Sequence, residues 1–197
     1  KNPAVIHLNH DTIDETAKTF ALVPHFLPES PNRFDARAMT GDGNRGKSEN
    51  LHDEVFFLMG LLHDLGKIVL GTYLEINSAP IVLKAYRECL SFEVAEQQVL
   101  GTDHAEVGAA LLEYWKLPQV VVDSVRWHHA PNCYPHEDKT VVDLVHLGEH
   151  VARICGTSSS TDGMNYSVCI ESLDRLKVVP DVLELVAAGA LLVHGDR

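Results

Sequence analysis

Apolar residues recur every three or four positions through most of the chain, which is the spacing of one face of an α-helix. Alternation of apolar and polar residues, which marks a half-buried β-strand, is nearly absent. The predicted class is therefore all-α, a single multi-helix bundle without internal repeats. The predicted helices span about 11–23, 51–65, 80–90, 92–100, 103–116, 118–129, 139–155, 168–177 and 181–194.

Two stretches lose this periodicity. Residues 24–49 gather prolines and glycines, which predicts a long mobile loop, and residues 158–163 read Ser-Ser-Ser-Thr-Asp-Gly, which predicts a second flexible loop. We therefore expect residues 1–49 to form a first helix and a loop within the same domain. Residues 50–197 are expected to form the helical core.

Composition narrows the function classes. A chain of 197 residues fits one domain with a substantial core. Its 28 acidic and 16 basic side chains give a net charge of −12, which opposes binding to nucleic acid or to an anionic membrane. A small phosphate-bearing ligand remains compatible with this charge, because a bound metal can reverse the sign inside a pocket.

Cysteine use and hydropathy predict the compartment. The four cysteines form no CxxC pair and are too few for a disulfide framework, which favours a reducing cytoplasm. By this pattern no apolar run approaches the roughly 20 residues of a membrane span, and residues 1–20 lack a signal-peptide pattern. We expect a cytoplasmic protein, and a homodimer is left open.

One polar pair lies near the end of the most apolar predicted helix. His63 and Asp64 come directly after the run from Phe56 to Leu62, and a buried imidazole beside a buried carboxylate is costly unless a metal or hydrogen bonds satisfy them. His104 and the adjacent pair His128-His129 lie on separate predicted helices. These three imidazoles complete a donor set suited to a transition metal, so the sequence predicts a metal site built from distant segments.

Four sequence blocks follow one another in a recognisable order. They are Phe57-Leu-Met-Gly-Leu-Leu-His-Asp-Leu-Gly-Lys67, Asp103-His-Ala-Glu-Val-Gly-Ala-Ala-Leu-Leu112 followed by Trp115-Lys-Leu-Pro118, His128-His-Ala-Pro131, and Val145-His-Leu-Gly-Glu-His-Val-Ala152. Over about residues 50–195 the chain resembles the HD-domain superfamily of metal-dependent phosphohydrolases, and more closely its HD-related output domain (HDOD) branch in bacterial signalling. The resemblance implies an HD-type helical bundle.

The resemblance also implies a set of site residues. Superfamily members hold one or more metals with a first-helix His, a His-Asp pair, further His residues and a final Asp. By position, the metal ligands here are His63, Asp64, His104, His128 and His129, with His10 as the available first-helix imidazole although Thr12 occupies the aligned place. Lys67 matches a lysine that meets substrate phosphate, so Asp64 and Lys67 are the expected catalytic residues.

Two departures from the family pattern bear on function. The final Asp corresponds to Glu149, which still suits a hard cation, and Asp143 is a weaker substitute. The sequence after His129 lacks the Gly-Tyr-Pro motif of the cyclic-di-GMP phosphodiesterase branch, so that activity is not expected. The implied cofactor is a divalent transition metal (Fe, Mn, Zn or Ni), as one ion or two.

Some motifs favour other interpretations. Residues 41–48 satisfy the GxxxxGK[ST] pattern of a phosphate-binding loop, but no apolar strand precedes them, and a surface loop is the favoured interpretation. His146 and His150 share a helical face at zinc-like spacing, yet a solvated or partly buried edge is favoured. Trp115 and Trp127 are expected to pack between helices.

Three functions remain open at this point. The first is a regulatory output domain that keeps much of a metal pocket and binds a small phosphate-bearing ligand or a signalling protein. The second is an active metal-dependent phosphohydrolase, and the third is a nucleotide switch based on residues 41–48. We favour the first, because the HDOD branch that the chain resembles is regarded as regulatory.

Overall fold

The computed structural model describes residues 48–154 and 165–178. Several predictions lie outside these residues: the helices over 11–23 and 181–194, residues 24–47 of the first predicted loop, the loop over 158–163, His10, and residues 41–47 of the phosphate-loop motif. Residues 48 and 49, the last two of the first predicted loop, are helical.

The described residues are helical, without a β-strand, which confirms the predicted all-α class. The elements are α1 (Ser48–Leu62), α2 (Leu65–Ile68), a π-helix (Val69–Tyr73), α3 (Ala79–Glu88), α4 (Phe92–Leu100), α5 (His104–Tyr114), α6 (Gln119–Trp127), a 3-10 turn (Pro131–Cys133), α7 (Thr140–Ile154) and α8 (Ile170–Leu176).

Local sequence explains where the helices that carry the site begin and end. Asp103 caps α5, because its side chain accepts a hydrogen bond from the backbone N–H of Glu106 at 2.9 Å. α4 ends at Gly101, whose φ of 77° is a left-handed conformation that favours glycine. The short turn from Gly101 to Asp103 thus brings α5 back against α4.

The main core lies between α1, α5, α6 and α7. Its fully buried side chains include Met59, Leu112, Val122, Val125 and Val145. Burying a side chain of this size stabilises a fold by about 1.5–3 kcal/mol. These contacts fix the positions of the helix ends where the predicted site residues lie.

Two glycines allow α2 to lie directly on α5. The Cβ that Gly108 lacks would be 3.1 Å from the backbone nitrogen of Gly66. The two backbones therefore approach more closely than side chains would permit. This contact holds the turn before α2 beside the first residue of α5.

One segment corrects the prediction about apolar runs. The helical stretch Val55–Tyr73 has 19 residues and is long and apolar enough, by length and composition only, to cross a membrane. It also carries Asp64 and Lys67, and its helices α1 and α2 pack against α5, α6 and α7. Within the described fold, Phe56 and Met59 of this stretch belong to the main core, whereas Tyr73 at its end is exposed.

Candidate metal centre

Helix ends bring the predicted ligands together. His63 and Asp64 occupy the turn between α1 and α2, and His104 is the first residue of α5. His128 and His129 directly follow α6, and Glu149 lies on α7. Side chains at helix ends have fewer neighbours from their own helix, so residues from several helices can meet there.

The donor atoms form two overlapping groups. Asp64, His104, His128 and His129 make up the first group, and His63, Asp64 and Glu149 make up the second. Within each group all the donor atoms lie within 4.8 Å of one another. Asp64 belongs to both groups, so its carboxylate lies at the centre of the cluster.

Individual contacts show how tight the cluster is. His104 Nε2 lies 3.3 Å from Asp64 Oδ1 and 2.8 Å from His129 Nε2. His63 Nε2 lies 3.4 Å from Asp64 Oδ2, and His129 Nδ1 lies 3.5 Å from Glu149 Oε2. The imidazoles and carboxylates therefore face a common centre.

Outer hydrogen bonds orient three of the rings. Nδ1 of His63 donates to the Gly60 carbonyl at 2.7 Å, and Nδ1 of His128 donates to the Val125 carbonyl at 2.6 Å. Nδ1 of His104 lies 2.5 Å from a carboxylate oxygen of Glu96. A ring that donates through Nδ1 has its lone pair on Nε2, and this outer support is typical of metal-binding histidines.

Two buried polar atoms test whether a metal fits. Among the residues that the structure describes, His128 Nε2 is buried without a hydrogen-bond partner, and Asp64 Oδ1 is buried with His104 Nε2 at 3.3 Å, outside good hydrogen-bond geometry. An unpartnered buried polar atom costs about 1–3 kcal/mol. Both atoms belong to the first donor group, so a cation bound there would satisfy both, and the residues fit a metal.

The carboxylates of the cluster are held ionised. Burial raises the pKa of Asp64, but the neighbouring His63 and Lys67 outweigh it and hold that pKa well below its usual range. Burial likewise raises the pKa of Glu149, and Arg153 together with His128 lowers it overall. Ionised carboxylates are the form that binds cations.

The imidazoles divide into two kinds. Burial lowers the pKa of His128 to about 3 and holds that of His129 well below its usual range. For His104, burial and Lys67 lower the pKa, but the carboxylates of Glu96 and Asp64 outweigh them and raise it to about 10. Neutral His128 and His129 are ready to ligate, whereas His104 must first lose a proton.

Lys67 lies beside the cluster in a buried position. Its ammonium is 3.0 Å from Asp64 Oδ2 and 5.8 Å from the centre of the Phe92 ring. Only 3% of the residue is exposed. The structure therefore places the two expected catalytic residues in direct contact.

A cavity of about 120 Å³ opens beside the cluster. His129 and Glu149 reach it from the cluster, and the lining also includes Arg153 and Tyr166. The guanidinium of Arg153 is bonded to Glu149 and lies 3.4 Å from the centre of the Tyr166 ring. The Tyr166 ring in turn stacks on His129, with centroids 5.3 Å apart.

The structure decides between Glu149 and Asp143. Glu149 joins the cluster, whereas the Asp143 carboxylate accepts two bonds from Arg175, both of 2.7 Å, and one of 2.6 Å from Ser172. Asp143 therefore joins α7 to α8. The suggestion that Asp143 substitutes for the final ligand is wrong, because six residues along a helix rotate a side chain by about 240°.

His146 also has a structural role. Its Nδ1 donates to the His128 carbonyl at 2.7 Å, and its Nε2 accepts from the Cys169 N–H at 2.9 Å. It is buried and bonded at both nitrogens, and it shares the cavity lining with His150. His146 therefore connects α7 to two neighbouring segments and is buried, whereas the sequence favoured a solvated or partly buried edge.

Sequence reasoning missed three residues around the cluster: Glu96, Arg153 and Tyr166. Glu96 is buried on α4 and bonds His104 through both its ring and its backbone N–H. A sequence signal existed only for Arg153, because it lies four residues after Glu149, where helical side chains meet. The other two contacts depend on how separate segments pack.

Comparison with known proteins matches one part of the chain to a family. Residues 44–131 match the family model of the HDOD domain. An uncharacterised protein of Treponema pallidum (strain Nichols) is 33% identical over 90 residues, which are 45% of this chain and 17% of that protein. The chain therefore spans a small part of this relative.

Solved structures share the fold. An HDOD domain protein of unknown function from Geobacter sulfurreducens has a TM-score of 0.61 at 21% identity, over 95% of this chain and 61% of its own. A protein of Marinobacter aquaeolei VT8, provisionally described as a signal transduction protein, has a TM-score of 0.60 at 16% identity, over 97% of this chain and 38% of its own. A protein of Shewanella amazonensis SB2B, provisionally described as a phosphohydrolase, has a TM-score of 0.56 at 18% identity, over 98% of this chain and 64% of its own.

The chain spans less than two thirds of each of these relatives, and at such identities the structural likeness concerns the fold alone. The family match covers α1 to α6, including the segments that carry His63, His104 and the His128-His129 pair. Residues 44–131 therefore match the HDOD, or HD-related output domain, family, and an HDOD protein has the same fold as the chain.

Proposed function

We propose that this chain is a cytoplasmic bacterial signal-transduction output domain of the HDOD type that binds a divalent transition metal in a retained HD pocket. The observation that carries the proposal is one group of four converging donors, Asp64, His104, His128 and His129, in which His128 Nε2 is buried without a hydrogen-bond partner. The HDOD family match supports the signalling role.

The donor set bears on which metal is bound. Imidazole nitrogen and carboxylate oxygen suit Fe, Mn, Zn or Ni. Asp64, His104, His128 and His129 would hold one ion, and His63 with Glu149 would complete a second set that shares Asp64. The pocket thus accommodates one ion or two, and the output would pass to a small phosphate-bearing ligand or a signalling protein.

Metal analysis tests this proposal directly. The protein is purified without added metal, and its metal content is measured by mass spectrometry beside a His63→Ala, Asp64→Ala double variant. His136→Ala serves as the matched control, because His136 is exposed and lies outside both donor groups. We expect metal in the wild type and control and none in the double variant. A wild type without metal, also after incubation with each of the four ions, would refute the proposal.

A second function, metal-dependent phosphohydrolysis, is favoured by two specific features. Lys67 lies beside Asp64, and the cavity reaches the cluster at His129 and Glu149. A bound divalent metal would lower the pKa of a water and neutralise phosphate oxygens. In this function Asp64 holds the metal, Lys67 positions a phosphate oxygen, and Arg153 offers a further cation at the cavity.

Turnover separates the two functions. Metal-loaded protein is assayed on a generic phosphodiester, a phosphomonoester and nucleoside phosphates, with the double variant as the blank. Turnover that disappears in the double variant and falls in Lys67→Met would establish the enzyme. Bound metal with no turnover on any of these substrates would leave the output domain as the function.

A further inference from the structure

Glu96 is a buried carboxylate outside both donor groups. It lies on α4 with 2% of its surface exposed. Burying a carboxylate costs several kcal/mol unless hydrogen bonds or charges offset it. Its partners therefore indicate why the chain keeps a charge there.

A single oxygen of Glu96 binds one residue twice. Oε2 accepts a hydrogen bond of 3.0 Å from the backbone N–H of His104 and lies 2.5 Å from Nδ1 of the same residue. The first contact satisfies the backbone N–H of His104 at the start of α5, for which the helix itself has no carbonyl acceptor. The second fixes the rotation of the ring.

The hydrogen bond that orients the His104 ring differs from those that orient the neighbouring rings. His63 and His128 each donate Nδ1 to a carbonyl three residues earlier, within the same segment of chain. His104 instead uses a charged acceptor from another helix, eight residues earlier. A charged acceptor makes the stronger bond and increases the electron density that the ring can offer through Nε2.

We propose that Glu96 is a positioning residue for the metal centre, which holds His104 so that Nε2 faces the donor group and strengthens it as a ligand. The inference rests on the proposed metal-binding function. Glu96 is not itself a ligand, because its bonded oxygen lies at Nδ1 while the opposite nitrogen is 3.3 Å from Asp64 Oδ1. Through this contact, metal binding is linked to the placement of α4 against α5.

Two substitutions of Glu96 measure how much metal affinity depends on its acceptor oxygen. Glu96→Gln keeps the size of the side chain and one oxygen acceptor, whereas Glu96→Ala removes the acceptor. Loss of such outer support typically weakens metal binding by about 10- to 100-fold. We expect Glu96→Ala to fall in this range and Glu96→Gln to lie between it and the wild type.

Ser124→Ala is the matched control. Ser124 is fully buried on α6, bonds the Val121 carbonyl at 2.8 Å and belongs to neither donor group. Its replacement removes a buried hydrogen bond but no donor atom. If Glu96 had only a structural role, the Ser124 and Glu96 variants would lose stability and both would keep wild-type metal affinity.

The experiment uses Co²⁺ as the probe. Each purified variant, freed of metal and checked for helicity by circular dichroism, is titrated with Co²⁺, and the dissociation constant and the visible absorption spectrum are recorded. We expect a weaker constant and an altered spectrum for both Glu96 variants, and neither change for Ser124→Ala. If Glu96→Ala does not fold, Glu96→Gln alone decides the result.

The possible failures can be distinguished. A wild type that binds Co²⁺ with the same affinity and spectrum as Glu96→Gln would overturn the role of Glu96 and leave the metal centre standing. A wild type that binds neither Co²⁺ nor the four candidate metals would overturn both proposals.

Discussion

Replacing Gly66 by alanine tests whether the close approach of α2 to α5 builds the cluster. A Cβ at Gly66 would lie 1.8 Å from the carbonyl oxygen of His104 and 2.9 Å from the backbone nitrogen of Gly108. Ordinary contact begins at 3.4 Å, so the shortfall at the carbonyl is 3.4 − 1.8 = 1.6 Å. The atoms in contact are backbone atoms, so no side-chain rotation relieves the overlap and the helices must move apart.

The expected cost follows from this geometry. Overpacking that side chains can partly relieve costs about 1–3 kcal/mol, and a backbone overlap belongs at or above the upper end, at about 3 kcal/mol. For a chain of this length that corresponds to a melting temperature lower by about 6–12 °C. The same movement would separate Asp64 from His104, so metal affinity should fall as well.

Two other glycines complete the series. Gly71→Ala places its Cβ in open space, with no heavy atom within 4 Å, and should leave stability unchanged or raise it by up to about 1 kcal/mol. Gly108→Ala meets the backbone nitrogen of Gly66 at 3.1 Å and Val125 Cγ1 at 3.3 Å, so an intermediate loss of about 1 kcal/mol is expected. Urea unfolding of metal-free protein gives the three values. Equal stability of the Gly66 and Gly71 variants would refute the reasoning.

Three further predictions concern protons and charge. The pKa of His104 is raised to about 10, and a metal binds the neutral ring, so metal uptake should release a proton. The dissociation constant of the metal should therefore fall about tenfold per pH unit above pH 7. A dissociation constant that does not change with pH in this range would contradict this prediction. The pKa of His128 is lowered to about 3, so the unfolded state binds the proton first and metal-free protein should lose stability as pH falls from about 6.5 towards 3. The raised pKa of His104 acts in the opposite sense, with stability lost as pH rises from about 6.5 towards 10, so urea midpoints should peak near pH 6.5 rather than increase steadily. Arg175→Met leaves the buried carboxylate of Asp143 without its cation and should cost about 2–3 kcal/mol, slightly less than a fully buried pair because Arg175 is partly exposed, while metal content, measured in parallel, stays at the wild-type level.

The helices could be predicted because their signals are local. Apolar spacing acts within a few residues, and the structure places helices where this spacing indicated them within the described residues. The choice of His63, Asp64, His104 and the His128-His129 pair also followed from sequence, because ionisable side chains within apolar segments require partners.

The partners themselves could not be predicted in the same way. Glu149 and Asp143 both lie on α7, and the sequence favoured Glu149 only through a resemblance. What separates their roles is the rotation of α7 against its neighbours, which directs Glu149 to the cluster and Asp143 to Arg175. That rotation depends on the packing of several helices at once.

The sequence by itself thus determined the helical class and the set of side chains able to bind a metal, because hydrophobic spacing and capping are properties of neighbouring residues. Only the tertiary structure decided that Glu96 supports His104, that His146 bonds across two segments, and that Arg153 and Tyr166 cover one side of the cluster. These contacts arise where backbones from distant parts of the chain approach closely, as α2 and α5 do at Gly66 and Gly108, and such distances are set by the packing of the whole bundle.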